Sequence, residues 1–344
     1  MNTFTQTEQQ ILQIIQVNFP LTAKPYEAIG KSIGRTEHEV IETLRSLKKR
    51  NIIRQISAIF NAQFLGFTSA LVSFQIQEHN LDNAAAIINA HPGVSHNYQR
   101  EHRFNLWFTL SVPEKVNSKQ HVQKLAELIS CTNYLYLPGL RTFKRRVQFD
   151  IHSHRNTPVA VSQTSEGLPK MSRKITLPIE IQCGIMNALQ NDLPLSPTPF
   201  TDIAKRFQVE EDMFFHFLHD LKTSQKMSRF AGILKHRTIG FTANAMVVWN
   251  IPDRTIVPFG EYAATYQAIS HCYERITYPE WPYNIYTMIH GTSRDDTQKV
   301  IDELSTKFDM KSYEILYSRK EYKKQRINYF SQDIYEWDKQ HISY

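Results

Sequence analysis

Cysteine is scarce in this chain of 344 residues: Cys131, Cys183 and Cys272 stand far apart, odd in number and in no CxxC pair. That excludes a disulfide framework or a zinc knuckle and leaves three free thiols as the expectation. Long apolar runs are lacking as well. No stretch approaches the roughly 20 apolar residues a membrane span needs, and the opening MNTFTQTEQQ has neither a basic n-region nor an apolar h-region. A cytoplasmic protein without a membrane partner is expected. Acidic charge is in deficit, with 40 Lys and Arg against 33 Asp and Glu for a net charge of +7. The surplus favours a polyanionic partner: nucleic acid, an anionic surface, or a small molecule with many carboxylates. Charge alone does not choose among them.

What the chain does contain is itself, twice. Residues 16–68 lie on residues 190–242 without a gap, and the landmarks coincide: Pro20-Leu21 with Pro194-Leu195, Pro25 with Pro199, Ile29 with Ile203, Lys31 with Lys205, and Gly66-Phe67-Thr68 with Gly240-Phe241-Thr242. Within each copy an apolar helix precedes a short helix and a second helix, followed by a β pair. Ile11, Ile14 and Ile15, like Ile181, Ile185 and Leu189, have helical spacing. Between 36 and 49, Val40, Leu44 and Leu47 form one stripe, and Thr36 and Glu39 are spaced as a capping box. The pattern is a helix-turn-helix with a wing at 53–60 and at 227–234.

After the wing each copy runs strand, helix, strand, strand, helix, strand. The segments expected are 69–77, 81–90, 94–100, 105–112, 118–129 and 134–137, then 243–251, 259–268, 269–277, 284–289, 294–308 and 312–317. That order is ferredoxin-like. A basic arm closes each copy, FKRRVQF at 143–149 and YKKQRINY at 322–329. The expected fold is α+β, a tandem duplication of a winged helix-turn-helix plus a ferredoxin-like βαββαβ domain. Its segments are 1–67 and 68–152, a Ser-, Thr- and Pro-rich linker at 153–174, then 175–241 and 242–344.

The second sheet strand reads SHNYQR at 95–100 and SHCYER at 270–275. Alternate strand residues share a face, so His96, Tyr98 and Arg100, like His271, Tyr273 and Arg275, stand in a row, while the residues between them have diverged. A row this polar is expected on the face away from the helices. Two such faces can enclose a pocket lined by both rows, His102, Trp107, Trp281 and Tyr283, with Asn105 and Asn284 alongside. Aromatic walls, arginines for carboxylates and histidines as proton donors or iron ligands suit a large flat ligand bearing carboxylates. His236 and Arg237 on the second wing match Ala62 and Gln63 in the first copy, so any role there is not shared.

Winged helix plus ferredoxin-like sheet is the layout of the Lrp/AsnC transcription regulators. A recognition helix reads bases with its N-terminal residues, and here those are Glu37 and Glu39 in one copy and Glu210, Glu211 and Asp212 in the other. Such acids suit the helix dipole and repel phosphates, while the basic Lys48, Lys49 and Arg50 lie at the far end. DNA is therefore not the expected partner.

The segments HPGVSHNYQREHRFNLWFT (91–109), ISHCYER (269–275) and YPEWPYNIYTMIHG (278–291) resemble the siroheme decarboxylases of Lrp/AsnC-like fold, and the resemblance extends over nearly the whole chain. It implies removal of carbon dioxide from the acetate side chains on rings C and D of siroheme to give didecarboxysiroheme, with no cofactor beyond the iron of the substrate. Related proteins pair small subunits, so a fusion places both partners in one chain. A homodimer or other haem-pathway subunits are further partners to consider. The roles expected are proton donor or iron ligand for His96 and His271, carboxylate anchor for Arg100 and Arg275, and orientation for Tyr98 and Tyr273. His102 has Thr277 at the equivalent spacing, which makes the halves complementary. An Lrp/AsnC-type regulator and a non-catalytic tetrapyrrole sensor or carrier are the alternatives.

Overall fold

The structure, a computed structural model, describes residues 4–17, 19–145, 177–235 and 243–342. The expected linker at 153–174, the end of the first basic arm and the His236-Arg237 pair lie outside these residues. Copy one comprises α1 (Gln6–Val17), α2 (Pro25–Ile33), α3 (Glu37–Lys49), β1 (Ile53–Phe60), β2 (Phe67–Phe74), α4 (Leu81–Ala90), β3 (Val94–Arg100), β4 (Leu106–Pro113), α5 (Ser118–Leu128) and β5 (Tyr134–Arg145). Copy two follows with α6 (Ile179–Gln190), α7 (Pro199–Arg206), α8 (Glu211–Thr223), β6 (Met227–Leu234), β7 (Ala243–Trp249), α9 (Asp253–Thr265), β8 (Ile269–Arg275), β9 (Ile285–Gly291), α10 (Arg294–Phe308) and β10 (Tyr313–Lys324). A last helix, α11 (Asp333–His341), was not foreseen. No helix among the described residues is long and apolar enough to cross a membrane.

The fold class is the expected duplicated α+β module, but the chain's two compact units do not coincide with its two copies. One unit holds both helix-turn-helix segments and the other both sheet domains.

In the helix-turn-helix unit, α2 ends on Gly34 in the left-handed conformation, φ 67°, which a Cβ would strain. Helix α3 begins at the expected capping box: Thr36 Oγ1 accepts from the Glu39 amide at 3.2 Å, and Glu39 accepts from the Thr36 amide at 2.8 Å. Its stripe of Val40, Leu44 and Leu47 is buried. The wings depart from expectation. Each is one strand, and the β pair is made between copies, β1 against β6 from Ile53↔Leu234 to Phe60↔Met227. An eight-residue strand with Ile56, Ala58 and Phe60 buried must satisfy its backbone groups somewhere, and the other copy supplies the ladder. Asp192 strengthens the join by accepting from the Ile56 amide at 2.8 Å and from Lys48 Nζ at 2.7 Å. One of the basic residues at the end of α3 is thereby engaged within the protein.

In the other unit the strand orders β3-β4-β2-β5 and β8-β9-β7-β10 are ferredoxin-like, as expected. The last strand of each sheet is much longer than predicted. The first part of β5 pairs with β2, from Phe74↔Tyr134 to Ala70↔Pro138, and from Gly139 onward it pairs with β8 of the other copy. Strand β10 likewise pairs first with β7 and then with β3. The start of each basic arm, 143–145 and 322–324, is thus strand, and the exchange closes eight strands into a barrel, leaving no open edge. Helix α9, expected at 259–268, begins earlier, at Asp253, and carries Pro258 inside it. Burial of Ile256 and Phe259 on one face offsets the hydrogen bond that proline cannot make.

Apolar residues collect in three places in this unit. Phe74, Ile88, Phe108 and Leu125 pack under the helices of copy one, and Trp249, Phe259, Ile269 and Ile301 under those of copy two. A third cluster with Phe104, Trp107, Leu135, Leu137, Val248, Trp281 and Leu316 packs on the opposite faces of the sheets, inside the barrel.

Candidate active site

Strand β3 alternates as predicted. Asn97 points to the helices, its Nδ2 donating to Asn89 Oδ1 at 3.0 Å, and in β8 Cys272 is buried in the helix-side core. His96, Tyr98 and Arg100, and likewise His271, Tyr273 and Arg275, therefore lie on the interior face. The ladder slips between Val94 and His96 and again between Ile269 and His271. Such irregularities re-aim side chains, and each serine beside them reaches the next histidine: Ser95 Oγ lies 2.9 Å from His96 Nδ1 and Ser270 Oγ 2.7 Å from His271 Nδ1.

The arginines close the rows, Arg100 buried and Arg275 half-buried. Arg100 donates to the Leu316 carbonyl at 2.9 Å and to Ser318 Oγ at 3.1 Å, and Arg275 donates to the Leu137 carbonyl at 2.6 Å. Each therefore grips the strand received from the other copy. Arg100 lies over Tyr98 at 5.5 Å, and Arg275 over Tyr273 at 5.0 Å and Tyr286 at 5.5 Å. Burial pulls the Arg100 guanidinium down to about 10, which leaves it a cation at neutral pH, and burial also lowers Arg275. Among the described residues neither has an acidic partner, and the Nε of both is buried without a hydrogen bond. A buried cation with an unmet N–H is costly, and a carboxylate from a ligand would satisfy it.

The exchanged strands border the rows. Lys324, Glu321 and Ser318 stand opposite His96, Tyr98 and Arg100, whereas Arg145, Thr142 and Gly139 stand opposite His271, Tyr273 and Arg275. Tyr98 donates to Glu321 at 3.3 Å. Burial raises the Tyr273 hydroxyl, with Arg145 and Arg275 pulling it back down.

The other predicted residues fall into two groups. His102, Trp107, Trp281 and Tyr283 gather in the interior: Trp281 lies 5.2 Å from His102, 5.6 Å from Trp107 and 4.8 Å from Tyr283. Both indoles are buried with satisfied N–H groups, Trp107 on the Phe104 carbonyl and Trp281 on the Tyr286 hydroxyl, so they serve the packing of the barrel. Desolvation lowers His102, whose Nδ1 accepts from the Phe104 amide at 3.0 Å. Asn105 and Asn284 are elsewhere. Each clamps a neighbouring backbone, Asn105 through the amide and carbonyl of Ile76 and Asn284 through those of Ile251. Sequence reading did not find Ser95, Ser270, His290, Arg145, Lys324 or Glu321. Ser95 and Ser270 precede the row histidines in both motifs; only strand register brings the other four to the rows, and no local pattern carries register.

The two AsnC-like segments are recovered by family comparison. Residues 64–144 and 238–323 match the AsnC-like ligand binding domain, and residues 8–54 and 183–227 match the siroheme decarboxylase NirDL-like HTH domain. A siroheme decarboxylase of Hydrogenobacter thermophilus is 35% identical over 335 residues, which cover 97% of this chain and 98% of that protein. The chain belongs to the siroheme decarboxylase family. The beta subunit of a siroheme decarboxylase from Methanosarcina barkeri is 37% identical over 140 residues, 41% of this chain and 92% of the subunit. In that member of the family a half-length chain is a subunit; here the equivalent segment is part of one polypeptide. The crystal structure of the siroheme decarboxylase NirDL in complex with an iron-uroporphyrin III analogue superposes with a TM-score of 0.74 at 31% identity, covering 98% of this chain and 99% of that one.

Proposed function

We propose that this chain is a carboxy-lyase that removes carbon dioxide from the acetate side chains on rings C and D of siroheme, giving 12,18-didecarboxysiroheme. The observation that carries this reading is the pair of arginines, Arg100 buried and Arg275 half-buried, each with a buried, unmet Nε–H and no acidic partner among the described residues, that close two His-Tyr-Arg rows. Family membership supports it, as does the polycarboxylate tetrapyrrole held by the NirDL structure.

Arg100 and Arg275 hold substrate carboxylates, including those that do not react. When the C–C bond of an acetate breaks, its electron pair stays on the methylene carbon, which takes one proton to become methyl. His96 and His271 are the positioned groups that can give that proton, or can ligate the iron the substrate brings; Tyr98 and Tyr273 orient them. The reading assigns no cofactor beyond that iron. Both rows come from one polypeptide, so no second chain is needed to supply them; pairing into a homodimer is a separate question for light scattering.

The test is anaerobic incubation of the purified chain with siroheme, followed by product mass. Successive losses of carbon dioxide are expected. A Soret shift without turnover would make the protein a carrier or sensor, and salt-sensitive binding to one DNA sequence would make it a regulator.

A further inference from the structure

Behind His271 the hydrogen bonding continues inward. Ser270 Oγ lies 2.7 Å from His271 Nδ1 and 2.7 Å from His290 Nε2, and His290 Nδ1 bonds Asn244 Oδ1. The carbonyl of Met288, at 3.5 Å, is the weaker competitor for the serine proton. Three strands contribute, β7, β8 and β9, and Ser270, His290 and Asn244 are all buried. In copy one the same register places Ser111 where His290 stands and Ser69 where Asn244 stands, and these two hydroxyls bond each other at 2.7 Å. The two rows match, but only copy two has an imidazole behind its serine.

We infer that Asn244, His290 and Ser270 form a proton relay that positions and recharges His271, so that the copy-two row has a protonating device which copy one lacks. This rests on the proposed decarboxylation and on His271 as the acid. The Asn244 oxygen accepts from Nδ1–H of His290 and so directs Nε2–H of a protonated His290 at Ser270. As the methylene carbon takes the proton from His271 Nε2, the Ser270 hydroxyl proton passes to His271 Nδ1 and the His290 Nε2 proton passes to Ser270. His290 ends neutral with Nδ1–H still on Asn244, His271 ends neutral as the Nδ1–H tautomer, and the substrate carbon has gained one proton. No imidazolate forms, which is what the relay contributes. Ser270 and His290 act through His271 and are positioning residues.

The experiment uses the full chain with siroheme under anaerobic conditions. His290→Ser installs the residue of copy one and is expected to lower kcat on the order of 10²-fold with KM little changed. Rates in mixtures of light and heavy water should curve for the native chain, where several protons move together, and become linear in the variant. Ser270→Ala should match it, and the double variant should be no worse than either single one, as for groups acting as a unit. Where His290→Ser no longer shifts the Soret band of iron-uroporphyrin as the native chain does, His290→Gln, which keeps a hydrogen bond but has no ionisable proton to pass on, provides the same measurement. Unchanged kcat, an unchanged isotope curve, or additive losses overturn the relay. Retained turnover in His271→Ala overturns it too, by removing the acid it serves. Absence of carbon dioxide release from the native chain instead defeats the proposed function itself.

Discussion

The two halves of the barrel hold the same His-Tyr-Arg row in different company. Beside the copy-one row the exchanged strand places Lys324 and an acid, Glu321, and behind its serine strand lies a pair of hydroxyls. Beside the copy-two row stands Thr142, with Arg145 next to His271, and behind it lie His290 and Asn244. One row is therefore more cationic and backed by an ionisable group. Duplication preserved the groups that face the interior, and divergence acted on the strands around them, the pattern expected when two sites share a ligand type and divide the work.

The largest effect should come from the arginines. Arg275→Leu and Arg100→Leu each leave a carboxylate of the substrate unpaired, which costs about 2–5 kcal/mol and lowers kcat/KM by roughly 30-fold or more. Product mass against time measures both. Equal losses mean that both rows hold substrate carboxylates, whereas a loss confined to Arg275 would break the comparison in favour of copy two.

Next in size is acid stability, where copy one differs again. His91 Nε2 and His121 Nδ1 lie 2.8 Å apart, His121 Nε2 lies 2.9 Å from Asp338 on α11, and the Gly93 amide donates to His91 Nδ1 at 2.9 Å. Trp337 of α11 packs on both rings. Helix α4 ends at His91, whereas α9 ends at Tyr266. Burial, with a smaller contribution from the neighbouring cations, pushes His91 down to about 2; burial also lowers His121, with Asp338 pulling the other way. Both bind protons more readily in the unfolded chain. Their contribution is complete above pH of about 6.5 and is lost as pH falls below it, by up to ~1.4 kcal/mol per pH unit for each histidine. The thermal midpoint should drop between pH 7 and pH 5, and His91→Gln should flatten that drop.

Smaller still is the cap of the second helix of each helix-turn-helix. Thr36→Ala removes a capping box and should cost about 1 kcal/mol in urea unfolding. Glu210 at the same place in copy two makes no side-chain cap bond, so Glu210→Ala should stay within about 0.5 kcal/mol. The smallest change is Glu321→Thr, which gives copy one the residue of copy two. Glu321 is exposed, so its removal should tighten binding of iron-uroporphyrin only about twofold, as read by Soret titration.

Much of the fold was legible because it is written in short-range periods. The ungapped repeat, the helical stripe of Val40, Leu44 and Leu47, the Thr36 and Glu39 cap, and the alternation that sets His96, Tyr98 and Arg100 against Asn97 all lie within a few residues of one another. The misses share a cause. The ends of β5 and β10 read as basic arms because Lys144, Arg145, Lys323 and Lys324 look solvated, and only the partner strand of the other copy explains their extended form. The wings read as local pairs for the same reason. Asn105 and Asn284 looked like site residues because they adjoin aromatic motifs, yet their side chains are spent on Ile76 and Ile251.

By itself the sequence determined which elements form, that they occur twice, and which side chains share a face, since backbone geometry and hydrophobic period act between near neighbours. Which strands become neighbours was decided only in the tertiary structure. The exchange of β5 and β10 satisfies sheet edges that each copy would leave open, and it puts Arg100 on Leu316 and Arg275 on Leu137. The register of β7, β8 and β9 then sets His290 against Ser270 in one half and Ser111 against Ser69 in the other. Contacts between residues far apart in the chain depend on that pairing, which local spacing does not encode.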